Sequence, residues 1–248
     1  MAASQPAPSR GTRIVVVSPH LDDGVLSLGA SMASWARRGA AVELLTVLGC
    51  DPASKAPAGG WDARGGFETE GESALARREE DRQACALIGA TPVWLPYGSV
   101  DYDRHGDETE VRDAVLRALD GAKLVLVPGF PLTHPDHAWL VRTLVSDLKS
   151  DTGRGSYPIG LYGEQPYTRR VGTEPNVPAW LTELVGPAVF EPVAVGLRDR
   201  ISKWRAIRRY ASQLPLLAMR GSLRRGPHRY AATSEWIAWG PDYPSTSA

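Results

Sequence analysis

The eleven residues RIVVVSPHLDD, from Arg13 to Asp23, contain the most informative transition in this chain. The first five residues, Arg13–Val17, are a β-branched run that is typical of a strand buried on both faces of a parallel sheet. The polar tract Ser18–Asp23 follows at once. Apolar residues then recur at helical spacing as far as Gly39, a residue type that commonly ends helices. A strand, a polar turn and a helix in this order predict the start of a βαβ unit.

The same alternation continues through the middle of the chain. The further predicted strands are Val42–Leu48, Pro92–Leu95, Lys123–Val127 and Ile159–Tyr162, and the helices between them are Ala74–Ile88, a segment around residues 111–119, and Pro135–Lys149. Strands that alternate with helices predict an α/β fold with a mostly parallel sheet flanked by helices on both faces. We expect residues 1–248 to form a single domain, because this length suits one large α/β unit.

Three regions lack this regular pattern. Residues 1–11 are rich in Ala, Pro and Ser, and we expect them to be disordered. The segment Cys50–Glu72 is predicted to be a long loop, and such loops in compact domains are usually functional or disordered. After Glu164 the part towards the C-terminus is irregular, with a strand near Val189–Val195, a helix at Leu197–Ala211, and Trp236 and Trp239 in loop-like sequence.

The composition argues against several classes of partner. Lys plus Arg and Asp plus Glu both number 28, so the formal net charge is zero. A neutral chain has no overall attraction for nucleic acid or for an anionic membrane. The sequence shows no apolar stretch of membrane-spanning length and no signal-peptide core, so we expect a cytoplasmic protein. Cys50 and Cys85 have no partner in a CxxC spacing, which excludes a disulfide framework.

Two polar tracts combine imidazoles and carboxylates directly after predicted strands. The first contains His20, Asp22 and Asp23, and the second is Thr133-His134-Pro135-Asp136-His137. Because ligands of open α/β sheets bind outside the carboxyl ends of the strands, we expect the two tracts to meet there. A catalytic zinc ion takes three imidazole or carboxylate ligands and keeps one position open for water. His20, Asp23 and His137 are the predicted ligands.

The remaining groups of these tracts suit acid–base chemistry. Asp22 is adjacent to Asp23 at a turn, so its side chain diverges and can accept a proton from an activated water. His134 is predicted either to stabilise an oxyanion or to protonate a leaving amine. Asp136 is predicted to orient His134 and to raise its basicity. The pattern therefore predicts metal-dependent hydrolysis.

Each tract also has a purely structural explanation. Aspartate is a favoured residue before a helix, and proline is common at the first helical position. A non-catalytic Rossmann module that binds a nucleotide is the alternative from another functional class. The first turn lacks the G-x-G-x-x-G pattern, and its acidic pair Asp22 and Asp23 would repel a pyrophosphate.

The two tracts resemble the PIG-L (LmbE-like) family of zinc-dependent N-deacetylases. His20-Leu21-Asp22-Asp23-Gly24 is similar to the family's His-Pro-Asp-Asp-Glu tract, and His134-Pro135-Asp136-His137 to its later His-Pro-Asp-His tract. The likeness extends over residues 12–215 and includes three further segments: Arg77 to Glu80 with Leu87-Ile88-Gly89, Glu164-Gln165-Pro166-Tyr167, and Lys203 to Gln213. Leu21 and Gly24 depart from the pattern. The missing glutamate at Gly24 removes a group expected beside the metal ligands.

The resemblance implies a Rossmann-like fold and hydrolysis of an N-acetyl group, usually on a glucosamine-type sugar in a small molecule, with Zn²⁺ on His20, Asp23 and His137. Fe²⁺ and Ni²⁺ accept similar ligands, so the sequence leaves the metal open. A glycosylated natural product or its precursor is the expected substrate. An amidase of the mycothiol-conjugate type, acting on a thiol–sugar conjugate, is the enzymatic alternative that the resemblance leaves open.

Three residues are predicted to contact the substrate. The resemblance assigns Arg77 to sugar hydroxyls or phosphate. Asp101 is predicted either to hold substrate hydroxyls or to cap a turn. Glu164 follows the Ile159–Tyr162 strand and is predicted to lie in the wall of the pocket.

Overall fold

The computed structural model describes residues 10–102, 107–149, 158–171, 175–219 and 233–239. The strands are β1 (Arg13–Ser18), β2 (Ala41–Thr46), β3 (Ala90–Trp94), β4 (Leu124–Phe130), β5 (Ile159–Gly163), β6 (Phe190–Pro192) and β7 (Trp236–Trp239). They form one sheet in the order β3-β2-β1-β4-β5-β7-β6. The first five strands are parallel to one another, whereas β7 is antiparallel to both β5 and β6. This arrangement confirms the predicted fold class.

Helices cover both faces of the sheet. They are α1 (Asp23–Arg37), α2 (Gly60–Arg64), α3 (Glu70–Ile88), α4 (Glu108–Leu119), α5 (Pro135–Lys149), α6 (Tyr167–Val171), α7 (Ala179–Val185), α8 (Leu197–Ile207) and α9 (Leu214–Met219). A short 3₁₀ turn spans Val100–Tyr102. In the described part of the chain, no helix is both long and apolar enough to cross a bilayer.

The central strand β1 is buried on both faces of the sheet. Its residues Ile14 and Val16 belong to the core under α1, α3 and α8, while Val15 and Val17 belong to the opposite core under α4, α5 and α7. All four are completely buried. An uninterrupted apolar run is therefore required, because each face of a parallel strand meets a helix layer.

The strand order places a topological switch point beside β1. The chain moves from β1 to β2 and β3 on one side and then returns to β4 on the other. The loops that leave β1 and β4 therefore diverge, and they open a crevice at the carboxyl ends of these two neighbouring strands. Both polar tracts lie in this crevice.

The predicted loop Cys50–Glu72 is less irregular than expected. It contains α2, and α3 begins at Glu70 rather than at Ala74. The Thr69 side chain accepts a hydrogen bond from Glu72 N at 3.2 Å, while Glu72 Oε2 accepts one from Glu68 N at 2.9 Å. The spacing Thr-x-x-Glu is the signature of a capping box, so the sequence did contain a signal for this helix start.

The C-terminal part corrects a second prediction. Trp236 and Trp239 are the two ends of β7, a strand inserted between β5 and β6, and they do not lie in a loop. The predicted strand Val189–Val195 shortens to β6, and the predicted helix to Ala211 ends at Ile207. Residues 1–9 of the segment expected to be disordered lie outside the described residues.

A buried ion pair fixes β7 to the first helix. Helix α1 is kinked at Leu28, where φ is −123° and ψ is 15°. The Glu235 carboxylate, directly before β7, accepts hydrogen bonds from Ala30 N at 2.9 Å and from Ser31 N at 2.7 Å. These are amides just past the kink, so the carboxylate supplies the acceptors that buried N–H groups require.

Lys203 of α8 completes this contact. Its Nζ lies 2.6 Å from Glu235 Oε1, and both side chains are essentially inaccessible to solvent. Gly29 makes room for the lysine, because a Cβ there would lie 2.9 Å from Lys203 Cγ. The pair therefore joins α1, α8 and β7 at one point in the core.

We expect Glu235→Gln to lower the free energy of unfolding by about 3–5 kcal/mol, since it leaves the Lys203 ammonium buried without a countercharge. Chemical denaturation measures this loss. Glu191→Gln, on the half-buried neighbouring strand β6, is the matched control. Adding Lys203→Met to Glu235→Gln removes the unpaired charge and should recover part of the stability. A loss for Glu235→Gln no larger than for Glu191→Gln contradicts the role given to the pair.

Candidate metal centre

The first polar tract forms a tight turn between β1 and α1. Ser18 Oγ donates a hydrogen bond to His20 O at 2.7 Å and accepts one from Gly24 N at 3.0 Å. The turn therefore brings His20 over the end of β1 and starts α1 at Asp23. The second tract lies at the end of the neighbouring strand β4, where α5 begins at Pro135. The structure brings the two tracts together, as the topology predicts.

Three donor atoms from the two tracts form a nearly equilateral triangle. Asp23 Oδ2 lies 3.1 Å from His20 Nδ1 and 3.1 Å from His137 Nε2, and these two nitrogens are 3.2 Å apart. Asp23 and His137 are buried, and the His20 side chain is only 15% exposed. Three electron-pair donors at such short separations in a buried site need a shared cation or shared protons.

The triangle has the size that a divalent metal ion requires. Ligands at about 2.0–2.1 Å from zinc in a tetrahedral arrangement lie roughly 3.3 Å from one another. The three observed edges are close to this separation. A wider group also exists, since His20, His134 and His137 offer nitrogens within 4.8 Å of one another. The Asp23-containing set is more compact and includes an anionic ligand, so it suits one cation better.

Each of the two imidazoles in the triangle is oriented by a carboxylate on its other nitrogen. His20 Nε2 lies 2.8 Å from Asp136 Oδ2, and His137 Nδ1 is hydrogen-bonded to Glu164 Oε1. With a cation in the triangle both rings are neutral, and these contacts then hold the proton of each ring on the nitrogen outside the triangle. A carboxylate behind a metal-binding imidazole fixes its tautomer and increases its basicity.

This arrangement corrects the role predicted for Asp136. Its carboxylate lies 3.8 Å from His134 Nδ1, which is too long for a hydrogen bond, and it contacts His20 instead. The connection to His134 runs through the backbone, since Asp136 N donates to His134 Nδ1 at 3.3 Å. Asp136 also accepts from Val100 N at 3.2 Å, so it holds the 3₁₀ turn against the site.

Glu164 likewise differs from its predicted position in the pocket wall. It is buried beneath His137 and does not line the cleft. Its second oxygen accepts a hydrogen bond from Leu132 N at 2.9 Å. Leu132 has φ of 55°, a conformation that is uncommon for a residue with a side chain. Glu164 therefore positions both His137 and the loop that leads to it.

We expect Asp136→Asn and Glu164→Gln each to weaken metal affinity by about 10–100-fold, because either change removes the carboxylate behind one imidazole. Competition with a chromogenic chelator measures the affinity. Asp113→Asn, at a half-buried surface position on α4, is the control. Affinities equal to that of the unmodified protein contradict the orienting role.

Asp22 and Asp23 occupy different electrostatic environments although they are adjacent. Burial and the Asp23 charge raise the pKa of Asp22 to about 7. Burial opposes ionisation of Asp23 as well, but His137 and His20 outweigh it and hold the pKa of Asp23 well below its usual range. Asp23 is therefore a permanent anion, whereas Asp22 can accept and release a proton near neutral pH.

His134 lies in the same cleft and remains neutral. Burial and the neighbouring His20 and His137 lower the pKa of His134 to about 4. Because its Nδ1 accepts from Asp136 N, the ring proton is assigned to Nε2. A neutral imidazole with a free N–H is a hydrogen-bond donor for a developing negative charge.

The cleft next to the triangle encloses about 880 Å³, part of it open to solvent. Arg77 and Asp101, both predicted to contact substrate, line it. Asp101 Oδ2 accepts from Trp61 N at 2.8 Å, so Asp101 also supports the start of α2. Helix α2 also contributes to this wall through Trp61 and Asp62, and the sequence predicted neither the helix nor a role for Asp62. No periodicity or motif in the long loop marked them.

The structure explains the glycine at position 24. A Cβ atom there would lie 2.4 Å from Leu44 Cδ1 and 3.3 Å from Ser18 Oγ. A glutamate therefore has no room, and the carboxylates behind the imidazoles come from Asp136 and Glu164. The departure from the family pattern leaves the ligand geometry intact.

Comparison with known proteins agrees with this geometry. Residues 15–147, more than half of the chain, match PIG-L, described as GlcNAc-PI de-N-acetylase. This chain belongs to the PIG-L family. The matched segment includes all three corners of the triangle, which explains why the resemblance was detectable from two short tracts. A search of curated proteins finds no match for this PIG-L protein.

Solved structures with the same fold include two deacetylases whose names refer to A40926 and to teicoplanin biosynthesis. The A40926 pseudoaglycone deacetylase Dbv21 has a TM-score of 0.71 and 24% identity, over 94% of this chain and 98% of that one. A deacetylase triple mutant from the teicoplanin pathway has a TM-score of 0.71 and 26% identity, over 93% and 100%. GalB, a 4-carboxy-2-hydroxymuconate hydratase from Pseudomonas putida KT2440, also shares the fold, with a TM-score of 0.57 and 18% identity over 96% and 98%. The fold of this PIG-L protein therefore does not by itself specify a reaction.

Proposed function

We propose that this PIG-L protein is a zinc-dependent deacetylase that hydrolyses the N-acetyl group of an amino sugar within a small molecule. The observation that carries the proposal is the triangle of His20, Asp23 and His137 with Asp22 beside it in one cleft. Two imidazoles and one carboxylate are a usual zinc ligand set that leaves a position for water. Similar ligands bind Fe²⁺ and Ni²⁺, so metal analysis belongs to the test.

Bound there, the ion would polarise the amide carbonyl and lower the pKa of water. Asp22 takes the proton of the attacking water as a new C–O bond forms at the carbonyl carbon. The raised pKa of Asp22 makes this carboxylate a stronger base than an exposed aspartate. The C–N bond then breaks, and the proton held by Asp22 passes to the leaving nitrogen. The products are acetate and a free amine.

His134 stabilises the charge that develops on the carbonyl oxygen. Its neutral ring keeps a proton on Nε2, and donation of that N–H to an oxyanion needs no change of protonation. This favours the oxyanion role over the alternative in which His134 protonates the amine. Donors that are already oriented towards the developing charge typically contribute about 10²–10³-fold to the rate.

A glycosylated natural product or its precursor is the proposed substrate. The A40926 pseudoaglycone deacetylase and the teicoplanin-pathway deacetylase support this class, because their folds match this chain over nearly its full length. The cleft supports it as well, since it is open to solvent on one side and can therefore admit part of a larger glycosylated molecule. Arg77 and Asp101 provide polar groups for sugar hydroxyls.

An activity panel with the metal-loaded protein tests the proposal. N-acetylglucosamine, N-acetylglucosaminyl glycopeptides and a thiol–sugar conjugate are compared by quantifying both the free amine and the released carboxylate. We expect stoichiometric amine and acetate from an N-acetylglucosaminyl substrate, and loss of both after chelation. Release from the thiol–sugar conjugate alone favours the amidase alternative. No release from any substrate by protein with one ion per chain contradicts the proposal.

A further inference from the structure

The short helix α2 forms one wall of the cleft and is held in place by contacts from three directions. Asp101 accepts a hydrogen bond from Trp61 N at 2.8 Å, and Trp61 Nε1 donates to Gln213 Oε1 at 2.7 Å. Tyr102 OH donates to Asp62. A five-residue helix has little stability of its own, so these contacts determine where its side chains lie.

Asp62 is the buried member of this wall. Its side chain is 3% exposed, and its two oxygens have different partners. Oδ1 accepts from Arg77 Nη1 at 3.1 Å, and Oδ2 accepts from Tyr102 OH. Each oxygen therefore has one partner, and the carboxylate joins α2, α3 and the 3₁₀ turn.

The Arg77 guanidinium keeps unused donors beside the reacting groups. The side chain is 11% exposed and lines the cleft together with Asp22. Its Nε atom is buried and has no hydrogen-bond partner among the described residues. A buried donor without a partner is costly, so the position of the Arg77 side chain is maintained against an energetic penalty, as is common for groups held ready to bind a ligand.

We propose that Asp62 is a positioning residue that fixes the guanidinium of Arg77 in the orientation that receives an oxygen of the substrate sugar. The identity of the substrate in this inference rests on the proposed function. The positioning role of Asp62 rests on its contact with Arg77. Asp62 binds the guanidinium through Nη1, and the exposed part of the Arg77 side chain lines the cleft. The charge of Arg77 also acts on Asp22. Without Asp62, the guanidinium is free to turn towards Asp22 and to lose its place for the sugar.

A double-mutant cycle on the metal-loaded enzyme tests this role. We expect Arg77→Gln to raise KM for the best N-acetylglucosaminyl substrate by about 10–100-fold, the range for a hydrogen bond to a charged group. Asp62→Asn should raise KM by roughly 10-fold with kcat nearly unchanged. The reason is that the weakened contact binds the substrate and the transition state equally. The double variant should match Arg77→Gln alone, since Asp62 acts through Arg77.

Tyr102→Phe is the matched control, because it removes the other hydrogen bond to Asp62 but leaves the Asp62–Arg77 contact and the two Trp61 hydrogen bonds that also hold α2. Its KM should stay within a factor of about 3 of the unmodified enzyme. Additive losses in the cycle, or equal effects of Tyr102→Phe and Asp62→Asn, overturn the inference. If Asp62→Asn does not fold, the cycle is repeated with Asp62→Glu, Arg77→Gln and the double variant. The same non-additive effect on KM is expected.

Calorimetry with glucosamine separates this inference from the proposed function. If the unmodified enzyme hydrolyses nothing in the panel, the proposed function fails. The cycle is then measured on glucosamine affinity, where non-additive losses in Asp62→Asn and Arg77→Gln still support the positioning role. Additive losses, or glucosamine binding that neither substitution weakens, overturn it.

Discussion

Asp22→Asn lowers kcat for amide hydrolysis by about 10²–10⁴-fold, the usual contribution of a general base, and leaves one metal ion per chain. The reason is that Asn has nearly the same shape as Asp but cannot accept the proton of the attacking water. Asp22 is not a corner of the donor triangle, so the ligand geometry stays intact. Steady-state kinetics and elemental analysis on the same preparation measure both quantities.

The pH profile adds a second measurement for Asp22. The carboxylate is the active form, so activity of the unmodified enzyme falls as the pH drops through the pKa of Asp22. The Asn variant should lack this acid limb. Asp113→Asn, a change of the same kind on the surface of α4, should leave kcat and the profile unchanged. Equal turnover by Asp22→Asn and the unmodified enzyme removes Asp22 from its role.

The sequence predicted the five parallel strands and the meeting of the two polar tracts for a physical reason. A strand buried on both faces, such as β1, requires a continuous apolar run, which is easy to recognise. The rule that ligands bind at the carboxyl ends of such strands then places His20 and His137 in one crevice. The burial of the strands and the rule on ligand position therefore both predict a site at the carboxyl ends of β1 and β4.

The sequence could not predict which carboxylate orients which imidazole. Asp136 is two residues from His134 and 116 from His20, yet its carboxylate contacts His20. At the start of a helix, neighbouring side chains diverge by about 100°, so proximity in sequence does not decide a contact. Glu164 was recognised as a residue at a strand end, but whether it faces the cleft or the core depends on the path of the loop from Phe130 to Leu132.

The C-terminal strand was missed for a different reason. The four residues of β7 read as a short apolar segment, which fits a loop contact as well as a strand. Their place in the sheet depends on Glu235, whose partners Lys203 and Ser31 are distant in sequence. A strand fixed by contacts of this kind carries little local signal.

His137→Ala abolishes binding of the metal ion. It also lowers kcat/KM by about 10³-fold or more, because a bound ion stabilises the transition state by several kcal/mol and this stabilisation is lost. The substitution removes one corner of the triangle and leaves only His20 and Asp23. Elemental analysis after gel filtration and steady-state kinetics measure the two effects. Because Glu164 would then be a buried carboxylate without its imidazole, the double variant His137→Ala with Glu164→Gln is measured in parallel, together with thermal unfolding.

His134→Ala is the decisive comparison for the ligand set. All three histidines could contribute nitrogens to one ion, since these lie within 4.8 Å of one another. The compact triangle with Asp23 predicts a different outcome for His134 than for His137. His134→Ala should keep the ion and lose about 10²–10³-fold in kcat, as expected for a donor to the oxyanion. If instead His134→Ala loses the ion and Asp23→Asn retains it, three imidazoles hold the metal, and the assignment of Asp23 as a ligand is wrong.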